Sequence, residues 1–277
     1  MTCAVVIFVA LATFEVVRGI YVATPRDLIL DSREAKAIRM IRAGHPDIVL
    51  HPVDVLSTNK GDPAWRNSLT KFHAFALTNH TRVLAFDSDS LILDNINFLF
   101  LAPNSPVAVP RAYWLTERED DVVAKQILGS HIMLIEPNIH RYQRIIDQGV
   151  RNGDLDMEIL NTLFQDSATI LPHRRLALLT GEFRNKDHRK YLAPDEDEEW
   201  NAMGEVSRAY LVHFSDRPLP KPWKPRTEAQ WQMALPACLD DDVETPDRPS
   251  CADRFMWTGF YTDYDHDREL YCRALIT

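Results

Sequence analysis

An α/β fold on a largely parallel sheet is the architecture this sequence predicts, and three observations predict it. Short apolar runs such as Val83-Leu84-Ala85-Phe86 and Ile132-Met133-Leu134-Ile135 recur between stretches with helical spacing, the alternation that builds strand-helix units. The chain has 277 residues, room for one large domain with an appendage. Hydrophobic residues make up 45% and charged residues 26%, which excludes disorder, collagen and disulfide-dense miniproteins as descriptions of the whole chain.

Residues 3–11 are continuously apolar, but Thr13, Glu15 and Arg18 follow, so the run falls short of the ~20 residues a membrane span needs. Two readings stand. One is a signal peptide with Ala10-Leu11-Ala12 as a small-x-small cleavage site, although no Lys or Arg precedes the apolar run. The other is a buried helix over 4–17 that feeds, after Gly19, a strand over 20–23 ended by Thr24-Pro25. Asp31 and Glu34 have capping-box spacing for a helix running to Gly44, and Ile48-Val49-Leu50 reads as a strand. Ser68 can cap a helix that carries Leu69, Phe72, Phe75 and Ala76 on one face. Further strands are expected over 82–86, 107–109, 132–135, 168–171 and 209–212, with helices over 138–151 and 156–164. The acidic run 195–199 reads as a solvated loop. The main domain is expected over 1–235, followed by an irregular tail over 236–277 that is rich in Asp and Pro. Cys238, Cys251 and Cys272 permit three pairings in that tail, or remain thiols; with Cys3 they make no C-x-x-C zinc motif.

Lys and Arg total 31 against 40 Asp and Glu, a formal net charge of -9. No large basic surface exists to neutralise a nucleic-acid backbone. The same acidity repels a bare phosphate ligand unless a metal ion or a local Lys and Arg cluster intervenes.

Chemistry concentrates at Phe86-Asp87-Ser88-Asp89-Ser90, directly after an apolar strand. Residues i and i+2 of an extended backbone point to one side, so Asp87 and Asp89 can converge at the strand's carboxyl end, where α/β sheets bind ligands. Two such carboxylates repel unless a cation lies between them, and Mg²⁺ or Mn²⁺ suits oxygen ligands. An isolated Asp-x-Asp more commonly just caps a turn. A second feature is His213-Phe214-Ser215-Asp216-Arg217-Pro218-Leu219-Pro220-Lys221-Pro222-Trp223. There a His at a strand end can complete a metal site and Lys221 can meet a phosphate.

These residues resemble glycosyltransferase family 8, the glycogenin-like retaining enzymes, and most closely their fungal branch of glucose N-acetyltransferase-like proteins. The resemblance rests on Leu69-Thr70-Lys71-Phe72-His73, Asp87-Ser88-Asp89, Asn95-Ile96-Asn97-Phe98-Leu99-Phe100 and Asp156-Met157-Glu158-Ile159-Leu160-Asn161. Leu171-Pro172-His173-Arg174, Leu179-Thr180-Gly181-Glu182-Phe183 and the stretch from His213 to Trp223 extend it. It spans residues 4–223 and implies a Rossmann-like nucleotide-diphospho-sugar transferase fold with a mostly parallel central sheet.

By this resemblance Asp87, Asp89 and His213 bind Mn²⁺ or Mg²⁺, which holds the diphosphate of a UDP-sugar donor. Lys221 matches a lysine touching the diphosphate, and Lys71 one near the phosphate and donor sugar. Ser88 and Ser130 are expected to contact the donor, and Asp156 matches a carboxylate near the donor sugar. From its own position Asp156 also reads as a first-turn residue facing the helix dipole. The expected reaction moves N-acetylglucosamine or glucose to a glycan acceptor in the Golgi lumen, with membrane association only through an upstream anchor; a cytoplasmic glycogenin-like role is the alternative. Two departures stand out. Gly129-Ser130-His131 stands where the family carries Asn-Ser-Gly, so an amide contact to the sugar is either absent or replaced by His131. The family's first nucleotide-binding strand is lacking before the opening helix, so that either the chain is truncated or its sheet closes differently around an incomplete nucleotide site. A catalytically degenerate binding protein and a phosphatase of the haloacid dehalogenase type, with Asp87 as nucleophile, are the competing functions.

Overall fold

The computed structural model describes residues 9–13, 16–18, 20–23, 39–40, 43–44, 49–61, 65–115, 126–195, 197–217, 219–238 and 251–272. Among them the strands are β1 (Val9–Thr13), β2 (Val16–Arg18), β3 (Ile20–Ala23), β4 (Val49–Pro52), β5 (Val83–Phe86), β6 (Ser90–Ile92), β7 (Val107–Pro110), β8 (Ile132–Ile135), β9 (Thr169–Leu171), β10 (Leu178–Leu179) and β11 (Leu211–His213). The longer helices are α1 (Ile139–Asn152), α2 (Asp156–Phe164), α3 (Ala202–Arg208), α4 (Glu228–Ala234) and α5 (Ala252–Cys272). The chain divides into two compact units, one holding 4–88 and 96–172, the other 89–95 and 173–277.

The first unit is organised by a six-stranded sheet in the order β2-β1-β5-β8-β7-β9. All four residues of β5 are buried, as are all four of β7 and β8, so both sheet faces are covered and the strands are apolar without alternation. On one face Val83, Ala85, Met133 and Ile135 pack with Phe72 and Phe75 of the 3₁₀ helix Ser68–Ala76 and with Ile159 and Phe164 of α2. The α/β class holds, but the sheet is mixed rather than mostly parallel: β7 and β9 run parallel, whereas β1–β2, β1–β5, β5–β8 and β7–β8 are antiparallel. β5, β7 and β9 thus share one direction, and β1 and β8 run against it. Among its described residues the connection from β7 to β8 carries the short 3₁₀ turn Tyr113–Leu115 and no crossover helix of the kind that returns a strand parallel.

The helix expected over 4–17 is instead the strand pair β1–β2, with β1 set against β5 in the register Leu11↔Val83. Val9, Thr13, Val16 and Val17 are β-branched and favour the pleated form, and pairing satisfies the backbone groups along that edge of β5. The strand expected over 20–23 is present as β3, parallel to β4. Of the helix expected over 31–44, residues 39–40 and 43–44 are helical, and the remainder lies outside the described residues.

Ser68 opens its helix as the first residue rather than the cap, Asn67 takes the cap position without a side-chain bond, and the helix is 3₁₀. Thr70 explains the anchoring there: its hydroxyl accepts from the Leu56 N–H (3.1 Å) and donates to the Leu56 carbonyl (3.2 Å). Helix α1 begins as expected, with Asn138 accepting the N–H groups of His140 and Arg141, both at 3.0 Å. It stops at Gly153, whose φ of 65° is the left-handed conformation that glycine adopts without strain.

In the second unit β10 runs parallel to β11, and β11 antiparallel to β6. Residues 195 and 197–199 are exposed and non-helical, as a solvated acidic loop should be. The tail expected to be irregular contains α5, 21 residues long. Trp257, Phe260 and Tyr261 are buried at i, i+3 and i+4 spacing. The buried Asp216 carboxylate accepts from Trp257 Nε1 (2.9 Å) and Tyr261 OH (3.0 Å) and pairs with Arg184 (2.8 Å), so its charge is met on every side. Cys238 and Cys251 form a disulfide with Cα atoms 4.8 Å apart. Among the described residues, no helix is long and apolar enough to cross a membrane.

Candidate active site

In the first unit a single lysine gathers the predicted site residues. Lys71 lies on the 3₁₀ helix that packs its apolar side against the sheet, and it is only 4% exposed. Its Nζ is 2.7 Å from Asp87 Oδ1, just past β5, and 2.6 Å from Asp156 Oδ2, the first residue of α2. It also donates to the Ser130 carbonyl (3.0 Å) and hydroxyl oxygen (3.3 Å). The Ser130 hydroxyl donates in turn to Asp156 Oδ2 at 2.7 Å. The Asp87 N–H donates to the His131 carbonyl at 2.8 Å, which fixes the backbone that carries the carboxylate.

The electrostatics follow from burial and pairing. Burial disfavours the Lys71 charge, but Asp156 and Asp87 outweigh it and hold the ammonium's pKa above the ordinary lysine value. Burial likewise disfavours the Asp156 carboxylate, and Lys71, with the hydrogen bond from Ser130, pulls its pKa below the usual range. Asp156 also sits in the first turn of α2, where the helix dipole favours negative charge. The first-turn reading of Asp156 is met, and the same geometry pairs its carboxylate with Lys71 and Ser130.

In the second unit the register His213↔Ser90 between β11 and β6 puts the imidazole beside Asp89. Asp89 is 6% exposed; its Oδ1 is 3.3 Å from His213 Nε2, and its Oδ2 accepts from Lys221. Lys221 is also held by the Phe214 carbonyl at 3.2 Å, while the Phe214 N–H donates to the Asp89 carbonyl at 2.8 Å. Burial works against ionisation of Asp89, yet His213 and Lys221 hold its carboxyl well below the usual carboxylate range. The strand expected over 209–212 is shifted to Leu211–His213, so His213 ends the strand rather than following it.

Seven of the eight predicted residues thus fall into two charge clusters, Lys71, Asp87, Ser130 and Asp156 in one unit and Asp89, His213 and Lys221 in the other. The boundary between the units passes through Asp87-Ser88-Asp89; Ser88 is half-buried and links the clusters through the backbone. His131 is 4% exposed with its ring 5.9 Å from that of Trp114. Asn161 was not expected to take part. Its Oδ1 accepts from the Leu128 N–H (2.8 Å), and its Nδ2 donates to the Leu128 carbonyl (3.1 Å) and the Met157 carbonyl (2.8 Å). The signals in the sequence were its place five residues after Asp156 on one helix and at the end of the stretch 156–161 that carries the resemblance.

Glucose N-acetyltransferase 1 of Gibberella zeae is 41% identical to this chain over 231 residues, covering 83% of this chain and 49% of the relative. The protein of the same name from Aspergillus fumigatus is 36% identical over 219 residues, covering 75% of this chain and 55% of the relative. The chain therefore spans about half the length of the curated relatives it matches. Glycogenin-1 of Caenorhabditis elegans is 26% identical over 137 residues, 46% of this chain and 29% of that protein. No family model matches. Among solved structures, the galactosyltransferase LgtC in complex with donor and acceptor sugar analogues superimposes with a TM-score of 0.51 at 14% identity, over 72% of this chain and 77% of that one. By sequence the chain is a homologue of the fungal glucose N-acetyltransferase 1 proteins, and its fold is that of nucleotide-sugar glycosyltransferases.

Proposed function

We propose that this chain carries the donor site of a metal-dependent retaining glycosyltransferase that moves N-acetylglucosamine or glucose from a UDP donor to a hydroxyl of a glycan. The observation that carries the reading is that Asp87-Ser88-Asp89 directly follows β5, with Asp87 paired to Lys71 in the first unit and Asp89 paired to His213 and Lys221 in the second. Asp87, Asp89 and His213 are proposed to hold Mn²⁺ or Mg²⁺: two carboxylates and an imidazole form a donor set suited to a hard divalent ion. Asp89 supports the fit, because it is buried and its carboxyl is held below the usual carboxylate range by His213 and Lys221. A bound ion supplies Lewis acidity toward the departing diphosphate.

The remaining steps belong to the chain's own residues. Lys71 and Lys221 present fixed positive charge where negative charge grows on the leaving group. Asp156, fixed by Lys71 and the Ser130 hydroxyl, offers a carboxylate at constant orientation to the donor sugar. The Cys238–Cys251 disulfide supports the Golgi lumen over the cytoplasm, because such bonds persist in oxidising compartments.

The test is turnover of a panel of UDP-sugars by the purified chain with an oligosaccharide mixture, with and without Mn²⁺. Turnover should be confined to one or two UDP-sugars, vanish with chelator, return with Mn²⁺ and fall about 100-fold or more in Asp89→Asn. Turnover that survives complete metal removal would contradict the reading.

A further inference from the structure

We propose that Asn161 is a positioning residue of the donor site, clamping the segment 128–131 so that Ser130 stands against Asp156 and Lys71. The proposal rests on the transferase reading and goes beyond it in assigning a role to a residue that touches none of the charged groups. Three of the amide's hydrogen-bonding positions are in use: Oδ1 takes the Leu128 N–H, and both protons on Nδ2 are given to the carbonyls of Leu128 and Met157. The amide therefore pairs with Leu128 as an adjacent strand would, meeting its N–H and its carbonyl together. Leu128 is fully buried, where neither group has water as an alternative partner.

On its other side the segment is tied to the sheet, because the Gly129 N–H donates to the Pro110 carbonyl at 2.8 Å and Leu128 bridges Arg111. Asn161 is the jaw that belongs to α2, the helix whose first residue is Asp156. What lies between the jaws is the site itself. The Ser130 carbonyl and hydroxyl receive Lys71, the Ser130 hydroxyl donates to Asp156, and the His131 carbonyl receives the Asp87 N–H. Releasing the α2 jaw lets the Ser130 segment move relative to Asp156 without removing any group that meets substrate.

The side chain is specific for the task. Aspartate keeps the acceptor but loses both donors and sets a negative charge against two carbonyls, alanine leaves the Leu128 N–H and carbonyl unmet, and glutamine is one methylene too long.

The experiment compares the wild-type chain with Asn161→Asp, Asn161→Ala and Asn138→Ala. The last removes the cap of α1 in the same unit and so lowers stability without touching 128–131. Readouts are kcat and KM for the UDP-sugar, and hydrogen exchange at the Leu128 and Gly129 amides. We expect kcat to fall ~10–100-fold in both Asn161 variants, with donor KM changed less than about threefold and faster exchange at Leu128. Asn138→Ala should keep kcat within about twofold once folded fraction is matched. Wild-type turnover with unchanged kcat in Asn161→Asp, or an equal loss in Asn138→Ala, overturns the proposal alone. A folded wild-type chain with no turnover on any UDP-sugar overturns the transferase reading and this role with it.

Discussion

Lys71 is a buried ammonium holding two carboxylates, at 2.7 Å and 2.6 Å. Removing one partner from a buried ion cluster typically costs ~3–5 kcal/mol, because the opposite charges stay buried and unmet. Lys71→Met should lose about that much unfolding free energy at pH 7, measured by urea titration. The same cluster sets a pH window. Asp156 has a lowered pKa in the folded state, so its contribution is present above the unfolded value near ~4 and is lost as pH falls through the folded value. Lys71 has a raised pKa, so its contribution is full below ~10.4 and is lost only as pH climbs through the higher folded value. In Lys71→Met the acid-side loss should shrink, since protonation then relieves the two carboxylates; a variant as acid-sensitive as the wild type would contradict the pairing. The apolar stripe of Leu69, Phe72 and Phe75 was legible from spacing alone, and all three are buried. That Lys71 is buried among them was not, because its partners Asp87 and Ser130 lie 16 and 59 residues away and only the fold brings them close.

Elements were most legible where both ends carried chemistry. Helix α1 has its Asn138 cap and its Gly153 stop, and α2 runs over the residues expected. The N-terminal segment was misread because an unbroken apolar run has neither helical nor strand period, and its β-branched residues decide the outcome only when β5 offers an edge. Helix α5 was hidden by its many acidic residues, although Trp257, Phe260 and Tyr261 already stood at helical spacing. Sequence left three pairings open for the tail cysteines; the structure joins Cys238 to Cys251, 13 residues apart. A loop of that length predicts ~3 kcal/mol of stabilisation from restricting the unfolded chain. Cys251→Ser should therefore lower the unfolding free energy by ~2–4 kcal/mol, and reductant should bring the wild type down to the variant. Indifference to both would show that the bridge does not restrain the tail.

For the whole chain, a net charge of -9 makes a bare diphosphate an unfavourable ligand unless cations are supplied locally. The sequence pointed to the residues proposed to supply them, Lys71 and Lys221 directly and Asp87-Ser88-Asp89 through a bound cation, because motif and order survive without coordinates. It could not show that these carboxylates pair with the same lysines, Asp89 with Lys221 and Asp87 with Lys71. Nor could it show the mixed strand directions, which depend on the connections and not on the apolar runs. Relatives at 41% and 36% identity named glucose N-acetyltransferase 1 favour a transferase over the phosphatase alternative. The most direct measurement is titration calorimetry of the purified chain with UDP, with and without Mn²⁺, beside an Asp87→Ala, Asp89→Ala double variant shown to be folded. UDP binding that requires Mn²⁺ and is lost in the double variant is the predicted result. Equal UDP binding with and without metal, or none by the folded wild-type chain, would contradict the account.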